Sequence, residues 1–453
     1  MIFNVYCGCK GTKNYGTFVS MIKVHLPLLF IVINTTLFAQ TRFPVVEVAS
    51  APVATYKIGP CEPSIAIHYN SPDTLVIGTV LNGYHYSHDG GKHWQTETLK
   101  SPYGVWGDPV VISDTNGHFH YFHLSDPTGK NWRSDSILDR IVCQTSTDGG
   151  VNWNDGSYMG LNYPKQQDKE WATLDPETNT LYVTWTQFDK YKSPKPKDES
   201  HIMFSKSTDG GKTWAKAKQI STIGGGCMDD RFTAEGAVPT VGTDGSIHVV
   251  WSRHDTLWLS SSEDGGNNFS SEHAIAPHRN GWRMAIPGVP RANGFPIIVT
   301  DRSKGKRHGN LYVNWAEQID GATDVYFMRS NDDGKTWSKP SKVSNDTTNT
   351  HRFFTWMAID PDDGTLYVVY YDRRHYEDAQ TDVFLSWSKD GGKTWKESRI
   401  SEKPFTPVQD FFFGDYNHID VRHGIVRPVW TAMEQENGQL KIYTSLINTK
   451  DLE

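Results

Sequence analysis

The octapeptide Ser87-His-Asp-Gly-Gly-Lys-His-Trp94 recurs, with small changes, so that six copies lie along the chain. The later copies are Ser146-Thr-Asp-Gly-Gly-Val-Asn-Trp153, Ser207-Thr-Asp-Gly-Gly-Lys-Thr-Trp214, Ser262-Glu-Asp-Gly-Gly-Asn-Asn-Phe269, Ser330-Asn-Asp-Asp-Gly-Lys-Thr-Trp337 and Ser388-Lys-Asp-Gly-Gly-Lys-Thr-Trp395. Their shared aspartates are 59, 61, 55, 68 and 58 residues apart. A nearly fixed period of this length predicts a repeat architecture.

The octapeptide has the chemistry of a tight turn between two strands. The aspartate can accept backbone N–H groups, glycine adopts positive φ, and the final aromatic ring packs against the sheet. The pattern resembles the Asp-box, or BNR, repeat of the sialidase-like superfamily of carbohydrate-active β-propellers. This resemblance implies that the boxes are structural and lie away from the face that binds substrate.

Strand-like runs between the boxes give the number of blades. Runs such as Leu181–Trp185 and Leu366–Tyr370 alternate aromatic and β-branched residues, as half-buried strands do. Each repeat supplies four strands, which make one propeller blade. Three further runs follow the last box, and Phe43–Ala49 can complete them by pairing beside Lys441–Ile447. We therefore predict an all-β, seven-bladed propeller of four-stranded antiparallel blades, closed by the N-terminal strand.

The first residues have the features of a targeting segment. Lys23 precedes the apolar run Leu26–Ile33, and Ala39 offers a small residue for cleavage. We predict a signal peptide over residues 1–39, with Met21 as an alternative start, and a secreted or periplasmic protein. The apolar run is too short to span a bilayer. Residues 40–453 are then a single propeller domain, expected to be a monomer.

Composition restricts the partners and cofactors. A formal net charge of −7 argues against nucleic acids and membrane surfaces as partners. The three cysteines beyond the signal peptide allow either one disulfide with a free thiol or three buried thiols. We expect that no cofactor is required. A structural divalent ion is compatible with the sequence but not indicated by it, since His118 and His120 lie on the opposite strand face from His123.

Substrate-binding candidates come from the segments just before each first strand and just after each second strand, which line the funnel of a propeller. Arginines recur in these segments, and a guanidinium group binds a carboxylate or sulfate through two parallel hydrogen bonds. Tryptophans there can stack on sugar rings. The predicted substrate-binding residues are Trp106, Asp108, Trp132, Lys169, Arg231, Glu235, Arg291, Arg352 and Arg374.

Catalytic candidates come from matching positions in neighbouring repeats. His123 ends a second strand, and His254 holds the corresponding place two blades later, preceded by Arg253. Tyr191 lies in a long insertion of the blade between them. Histidine and tyrosine can exchange protons with a substrate, and arginine can neutralise its charge. We predict His123, Tyr191, Arg253 and His254 as catalytic.

The predicted blade count resembles that of secreted ulvan-lyase-type propellers, which act on uronates. That resemblance implies β-elimination: arginine or histidine neutralises the uronate carboxylate, one histidine or tyrosine removes the C5 proton, and another protonates the leaving oxygen. The main prediction is therefore a carbon–oxygen lyase acting on an anionic, ulvan-like poly- or oligosaccharide, as a polysaccharide lyase or an oligosaccharide dehydratase.

Two other functions remain open from the sequence. A sialidase-type exo-glycoside hydrolase requires three arginines, a tyrosine nucleophile paired with a glutamate, and an aspartate acid/base. The nearest counterpart of its Arg-Ile-Pro signature is Arg42-Phe43-Pro44, in the predicted closing strand. A non-catalytic carbohydrate-binding propeller is the other alternative. The insertions Ser125–Ile141 and Lys190–Ser200 favour a walled pocket over a flat docking surface.

Overall fold

A computed structural model describes residues 43–51, 59–434 and 438–452 of the chain. The described residues form seven antiparallel sheets arranged as the blades of a propeller, with two short 3₁₀ helices at Asn131–Arg133 and Thr449–Leu452. The predicted signal peptide lies outside the described residues and stays a prediction. The all-β, seven-bladed architecture is confirmed.

Six blades are each built from four strands that are consecutive in the chain. The first strand of the described residues, β1 (Val45–Ala51), belongs to the seventh blade. Blade 1 contains β2 (Ser64–Ile67), β3 (Leu75–Thr79), β4 (Gly83–Ser87) and β5 (Gln95–Thr98). Blade 2 contains β6 (Val110–Ser113), β7 (Phe119–Leu124), β8 (Ile141–Ser146) and β9 (Ser157–Met159). Blade 3 contains β10 (Gln166–Asp175), β11 (Thr180–Phe188), β12 (Ser200–Ser207) and β13 (Lys218–Gln219). Blade 4 contains β14 (Glu235–Val241), β15 (Ile247–Arg253), β16 (Thr256–Ser262) and β17 (His273–Pro277). Blade 5 contains β18 (Ile297–Thr300), β19 (Leu311–Ile319), β20 (Ala322–Ser330) and β21 (Ser341–Lys342). Blade 6 contains β22 (Arg352–Ile359), β23 (Leu366–Asp372), β24 (Asp382–Ser388) and β25 (Lys396–Arg399).

Blade 7 joins the two ends of the propeller. Its strands are β26 (His418–Arg422), β27 (Ile425–Glu434), β28 (Gln439–Ser445) and, outermost, β1, while β29 (Ile447–Asn448) also pairs with β27. β1 runs antiparallel to β28, with Val45 opposite Ser445 and Ala51 opposite Leu440. The predicted closure by the N-terminal strand is confirmed, and it covers an edge of β28 that could otherwise pair with another chain.

Large rings at one repeated position fill the space between blades. In the second strands of blades 3 to 6 this position holds Trp185, Trp251, Trp315 and Tyr370, all fully buried. In blade 3, Leu181 pairs with Ser207, the first serine of the box, and Trp185 lies four residues after Leu181. The other three rings have the same offset in their own blades. The repeated register therefore gives each of these blades the same core position.

The six boxes are turns between the third and fourth strands, and Asp209 shows their hydrogen bonding. Its Oδ1 accepts hydrogen bonds from Ser207 Oγ at 2.8 Å, Lys212 N at 3.1 Å and Thr213 N at 3.0 Å. Third and first strands of an antiparallel blade run in the same direction, so this turn lies at the end opposite to the segment that leads into the first strand. The boxes therefore hold turns together far from the funnel.

Asp209→Ala should lower the free energy of unfolding by about 1–3 kcal/mol, because several turn donors lose their acceptor. The hydrogen bonds of this turn lower the pKa of Asp209 to about 2, against about 4 in an unfolded chain. Its contribution is therefore present above pH 4 and is lost as the pH falls towards 2. Urea unfolding at pH 7 and pH 3 measures both effects. Lys212→Ala, which keeps the backbone donor of the same turn, is the control, and an equal loss in both variants would contradict this role.

The described part of the chain contains no helix long and apolar enough to cross a membrane. Within the same part, Cys61, Cys143 and Cys227 are buried free thiols. Of the two arrangements that the sequence allowed for these cysteines, the structure has the buried, unpaired one.

Candidate functional site: an acidic funnel

The innermost strands of blades 3, 4 and 6 carry a β-bulge at the end where the funnel opens. The extra residues are Lys169, Gly236 and Phe354, with φ values of 52°, 72° and 50°. Glu62 and Asp108, just before the innermost strands of blades 1 and 2, have φ values of 52° and 50°. A bulge interrupts the alternation of side chains, so consecutive residues can face the same site. Non-glycine residues at positive φ are strained, and such strain is concentrated at functional sites.

Nine charged side chains gather at this end of the central channel, and we call them the acidic funnel. They come from the first residues of the innermost strands of blades 3 and 4 and from the segments leading into the innermost strands of blades 1, 2, 4, 5 and 7. The members are Glu62, Asp108, Asp168, Lys169, Glu170, Asp229, Glu235, Arg291 and Asp415. Seven carboxyl groups therefore face two cations.

A chain of contacts crosses the funnel from Tyr191 to Lys169. Tyr191 Oη donates a hydrogen bond to Asp229 Oδ2 at 2.7 Å, and Arg291 Nη1 lies 3.9 Å from the same oxygen. Arg291 binds Asp415 through two nitrogens, with Nε 2.9 Å from Oδ1. Lys169 Nζ reaches Asp415 Oδ2 at 2.7 Å. The two cations thus share one buried carboxylate and link opposite sides of the funnel.

Lys169 also contacts the acids of blades 1 and 2. Its Nζ lies 3.6 Å from Asp108 Oδ2 and 4.0 Å from Glu62 Oε1. Glu62 in turn accepts the backbone N–H of Asp415 at 3.0 Å. A single ammonium group therefore stands among three carboxyl groups, each from a different blade.

The excess of acids changes their proton affinity. Burial raises the pKa of Glu62 to about 8 despite the opposing charge of Lys169. Burial and the charge of Asp108 raise the pKa of Asp168 to about 7. Burial raises the pKa of Asp415, but Arg291 and Lys169 outweigh it and hold that pKa below its usual value. Protonated and ionised carboxyl groups therefore coexist in the funnel near neutral pH.

Glu170 and Glu235 are the most isolated acids of the funnel. Both are almost completely buried, and none of their carboxyl oxygens has a hydrogen-bond partner among the described residues. Burial raises the pKa of both well above its usual value, assisted by Asp108 for Glu170 and by Asp229 for Glu235. Each is expected to be protonated at neutral pH, because an unpaired buried carboxylate is very costly.

Two tryptophans form the floor of the funnel. The rings of Trp171 and Trp356, from the innermost strands of blades 3 and 6, have centroids 4.1 Å apart. Above them lies a cavity of about 50 Å³ that Glu170 and Tyr416 help to line. Below them a channel of about 500 Å³ runs between the innermost strands. The floor thus confines the charged groups to one face of the propeller.

Part of the predicted site is brought together by the structure. Asp108, Lys169, Glu235 and Arg291 are members of the acidic funnel, and Tyr191 is bound to it through Asp229. The two predicted tryptophans stand beside Tyr191. The Trp132 ring stacks on the Tyr191 ring at 5.3 Å, and Trp106 meets Trp132 edge to face at 6.2 Å.

His123 lies elsewhere, in the core of blade 2. It is fully buried, its Nδ1 is 2.8 Å from Leu124 O, and its Nε2 is 3.2 Å from Gln144 Oε1. Burial lowers its pKa to about 4. Phe119 pairs with Ser146, the first serine of the box, and His123 lies four residues after Phe119. His123 therefore occupies the core position that Trp185 holds in blade 3. We therefore assign no proton transfer to His123.

Three predicted arginines are occupied by structural ion pairs outside the funnel. Arg253 binds Glu272 at 3.1 Å and lies over the Trp258 ring. Arg352 is fully buried among three acids, and Arg374 binds two. The pairs of these last two arginines are Arg352 with Asp324, Asp346 and Asp372, and Arg374 with Asp372 and Glu397. These guanidinium groups are already neutralised by the protein.

The remaining two predicted residues lie on an exposed rim of blade 4. His254 is exposed at a φ of 54°, with its ring 4.6 Å from that of Phe232. The Arg231 side chain is 58% exposed and pairs with Asp255 at 2.9 Å. Neither residue has a contact with the acidic funnel among the interactions of the described residues.

The predicted site residues include four members of the acidic funnel, Asp108, Lys169, Glu235 and Arg291, but not its other five. Glu62, Asp229 and Asp415 lie in segments leading into innermost strands, and Asp168 and Glu170 lie near the start of β10, yet none of these five was predicted as a site residue. The available signal was the recurrence of carboxyl groups just before the innermost strand in repeat after repeat.

Among the described residues, no group of three or more His, Cys, Asp or Glu side chains is arranged to hold a metal ion.

Lys169→Met should lower the free energy of unfolding by about 3 kcal/mol. This value is at the lower end of the range for breaking a buried ion pair, because Asp415 keeps its ion pair with Arg291. The loss should be smaller at pH 5 than at pH 8, since Glu62, with a pKa of about 8, is protonated at the lower pH. Thermal unfolding at both pH values measures it.

Lys335→Met is the matched control for this variant, because the Lys335 side chain is 73% exposed and lies 4.0 Å from Asp333. It should change stability little. Equal stability of the two variants would contradict the bridging role of Lys169.

Comparison with known proteins agrees with the repeat. Residues 252–437 match the BNR repeat-like domain family. A sialidase from Bacteroides fragilis (strain YCH46) is 26% identical over 175 residues, which cover 34% of this chain and 31% of that protein. The match thus spans about a third of the length of this curated relative. Among solved structures, a Hadza microbial sialidase is 16% identical with a TM-score of 0.47 over 84% of this chain and 75% of that one. An α-L-arabinanase from Penicillium chrysogenum, complexed with arabinobiose, is 13% identical with a TM-score of 0.45 over 90% of this chain and 98% of that one.

The seven four-stranded blades make the described residues a seven-bladed β-propeller, and the six boxes agree with the match of residues 252–437 to the BNR repeat-like domain family. The prediction of a uronate lyase or dehydratase is wrong. The sequence relative described above, one of several, is a sialidase, which is a glycoside hydrolase. The elimination also depended on His123 and Arg253, and the structure buries the first in a blade core and pairs the second with Glu272.

Proposed function

We propose that this chain is a glycoside hydrolase whose active site is the acidic funnel, with Tyr191 as its nucleophile. The observation that carries the proposal is the 2.7 Å hydrogen bond from Tyr191 Oη to Asp229. The charge of Asp168 also acts on Tyr191. A nucleophile held against a base, beside a carboxyl group that is still protonated near pH 7, is the set of groups that glycoside hydrolysis requires.

The first step is the attack of Tyr191 on the anomeric carbon. Burial, together with the charges of Asp168 and Asp229, raises the pKa of Tyr191, so a free phenolate is disfavoured. The phenolic proton therefore passes to Asp229 as the new carbon–oxygen bond forms. The glycosidic oxygen leaves with the proton of Asp168, whose pKa of about 7 keeps that proton available.

The second step releases the sugar. Asp168, now a carboxylate, takes a proton from water, and the water oxygen attacks the anomeric carbon. Tyr191 leaves and recovers its proton from Asp229, which restores the starting state. Two displacements at one carbon return the original anomeric configuration, so the proposed enzyme is a retaining hydrolase.

The charges of the funnel favour an uncharged sugar at the point of cleavage. Seven carboxyl groups face Lys169 and Arg291, and both of these cations already bind Asp415. A sugar carboxylate would have to compete with that protein carboxylate and would meet the remaining acids. The sialidase resemblance implies a clamp of three arginines, whereas the acidic funnel formed by the described residues contains one, Arg291, so we infer a neutral glycosyl group.

A panel of 4-methylumbelliferyl glycosides tests the proposal. It should contain neutral pyranosides and furanosides together with a sialoside and a glucuronide, assayed from pH 5 to pH 8. We expect release of the fluorophore from at least one neutral glycoside. Cleavage of the sialoside alone would contradict the inferred neutral sugar. Cleavage of none would contradict hydrolysis and would favour a carbohydrate-binding propeller.

A further inference from the structure

We infer that a cleft beside the funnel is a binding site for the sugar units on the leaving-group side of the cleaved bond. This inference rests on the proposed hydrolase. The cleft, which we call the side cleft, is lined by Trp132, Asp135, Tyr163, Lys190 and Tyr191 among others. Its volume of about 650 Å³ is within the range of pockets that hold small ligands.

Exposed aromatic rings are the first observation that points to a sugar. The Trp132 side chain is 53% exposed and Tyr163 is 65% exposed. Large aromatic rings left in water at a concave surface are characteristic of binding sites. Their flat apolar faces fit the C–H face of a sugar ring, while the indole N–H and the phenol O–H remain available to hydroxyl groups.

The position of Tyr191 is the second observation, and it decides which part of the substrate lies in the cleft. One face of the Trp132 ring stacks on Tyr191 at 5.3 Å with an interplanar angle of 15°. Tyr191 Oη is directed to Asp229 in the funnel. Tyr191 therefore stands at the boundary between the two spaces. If the sugar it attacks lies in the funnel, the departing units extend into the side cleft.

The walls of the cleft are held in place by the backbone. Asp126 accepts the backbone N–H of Asn131 at 2.9 Å, which supports the 3₁₀ helix that carries Trp132. Gln166 accepts the backbone N–H of Tyr191 at 2.8 Å on the opposite wall. Lys190 and Asp135 add exposed groups of both signs at the rim, which can bind hydroxyl groups without requiring a charged sugar.

The substrate class that follows is an oligosaccharide or polysaccharide with neutral sugars on the leaving-group side, rather than a simple glycoside. A ring bound at Trp132 and Tyr163 would contribute binding energy at a distance from the reacting bond. Such energy can position the substrate for attack. Catalytic efficiency should therefore increase with the length of the leaving group.

The kinetic test compares a 4-methylumbelliferyl glycoside with di-, tri- and tetrasaccharides that carry the same glycosyl group at the non-reducing end. For the unaltered protein, kcat/KM should rise at least about tenfold from the disaccharide to the longer chains. Tyr163→Ala should remove most of this rise. Tyr158→Ala, a change at a tyrosine that is 40% exposed outside the cleft, should preserve it. Efficiency independent of chain length in the unaltered protein would overturn the side-cleft site.

A binding test separates this site from the proposed chemistry. Tyr191→Phe keeps the ring on which Trp132 stacks and removes the hydroxyl that reacts. Its binding to an array of neutral and anionic oligosaccharides should be retained, and adding Tyr163→Ala or Trp132→Ala should weaken it at least about tenfold. Binding that depends on these rings in a protein that cleaves no glycoside would support the site while the hydrolase proposal fails. Array binding unaffected by both substitutions would overturn the site.

Discussion

Replacing Tyr191 by phenylalanine should lower kcat by on the order of 10³–10⁴ on any glycoside that the protein cleaves. The substitution removes both the attacking oxygen and the proton that Asp229 accepts across 2.7 Å. The ring is retained, so its stacking with Trp132 and the melting temperature should remain close to those of the unaltered protein. Initial rates under saturating substrate, together with thermal unfolding, measure the effect.

Two further variants are needed to interpret this result, one at the hydrogen-bond partner of Tyr191 and one at an exposed control tyrosine. Asp229→Asn should cause a similar loss of kcat, because an amide cannot take the phenolic proton. Tyr158→Phe, at an exposed tyrosine outside the funnel, should leave the rate unchanged. Full activity in Tyr191→Phe would contradict a tyrosine nucleophile, whatever the substrate proves to be.

The second large effect is expected at Asp168. Asp168→Asn should lower kcat by on the order of 10²–10⁴ on oligosaccharides, whose leaving oxygen must be protonated. The loss should be much smaller on 4-methylumbelliferyl glycosides, because that leaving group departs without a proton. Lys169 N–H can still bond to the amide oxygen of the variant, since Asp168 Oδ1 accepts it at 2.9 Å.

The pH dependence provides an independent readout of Asp168. Burial and the charge of Asp108 raise the pKa of Asp168 to about 7, so the acid is protonated below that pH and loses its proton above it. The kcat/KM of the unaltered protein should therefore fall as the pH rises through about 7. Asp168→Asn should lack this fall, while Asp135→Asn, at an exposed acid of the rim, should show it unchanged. A fall that persists in Asp168→Asn would assign the general acid to another carboxyl group.

The fold was predictable because the sequence repeats its turns. Each box specifies a hairpin by local chemistry, and six copies define the positions of the strands around them. The closure of the ring followed from strand counting alone, since Phe43–Ala49 was the remaining strand and blade 7 lacked one. The structure pairs β1 with β28 as that argument requires.

The site was harder to predict because position along a strand does not determine burial. His123 ends a second strand, as expected, but its register against the box places it where other blades have Trp185 or Trp251. Aligning the repeats on the first serine of each box would have shown this. Arg352 and Arg374 lie near the funnel in sequence, yet each pairs with an acid that is distant in the chain, Asp324 for Arg352 and Glu397 for Arg374. Such distant pairs leave no local sequence pattern, unlike the pair of Arg374 with Asp372.

Five of the seven carboxyl groups of the funnel were missed for a related reason. Their importance comes from convergence: Glu62 and Asp415, from two other blades, meet the predicted Asp108 around Lys169. Two of the three bulges have positive φ at residues other than glycine, Lys169 and Phe354, and a sequence pattern does not predict such residues. Charge excess and proton sharing emerge only in the assembled ring.

Mass spectrometry of the protein during turnover tests the central claim most directly. A fluorinated analogue of the best substrate in the glycoside panel, with an activated leaving group, should slow the release step and accumulate the glycosyl–enzyme. We expect an added mass of one glycosyl unit on the peptide that contains Tyr191, and no adduct in Tyr191→Phe. An adduct on a carboxyl group of the funnel, or turnover with inverted configuration and no adduct, would contradict the account.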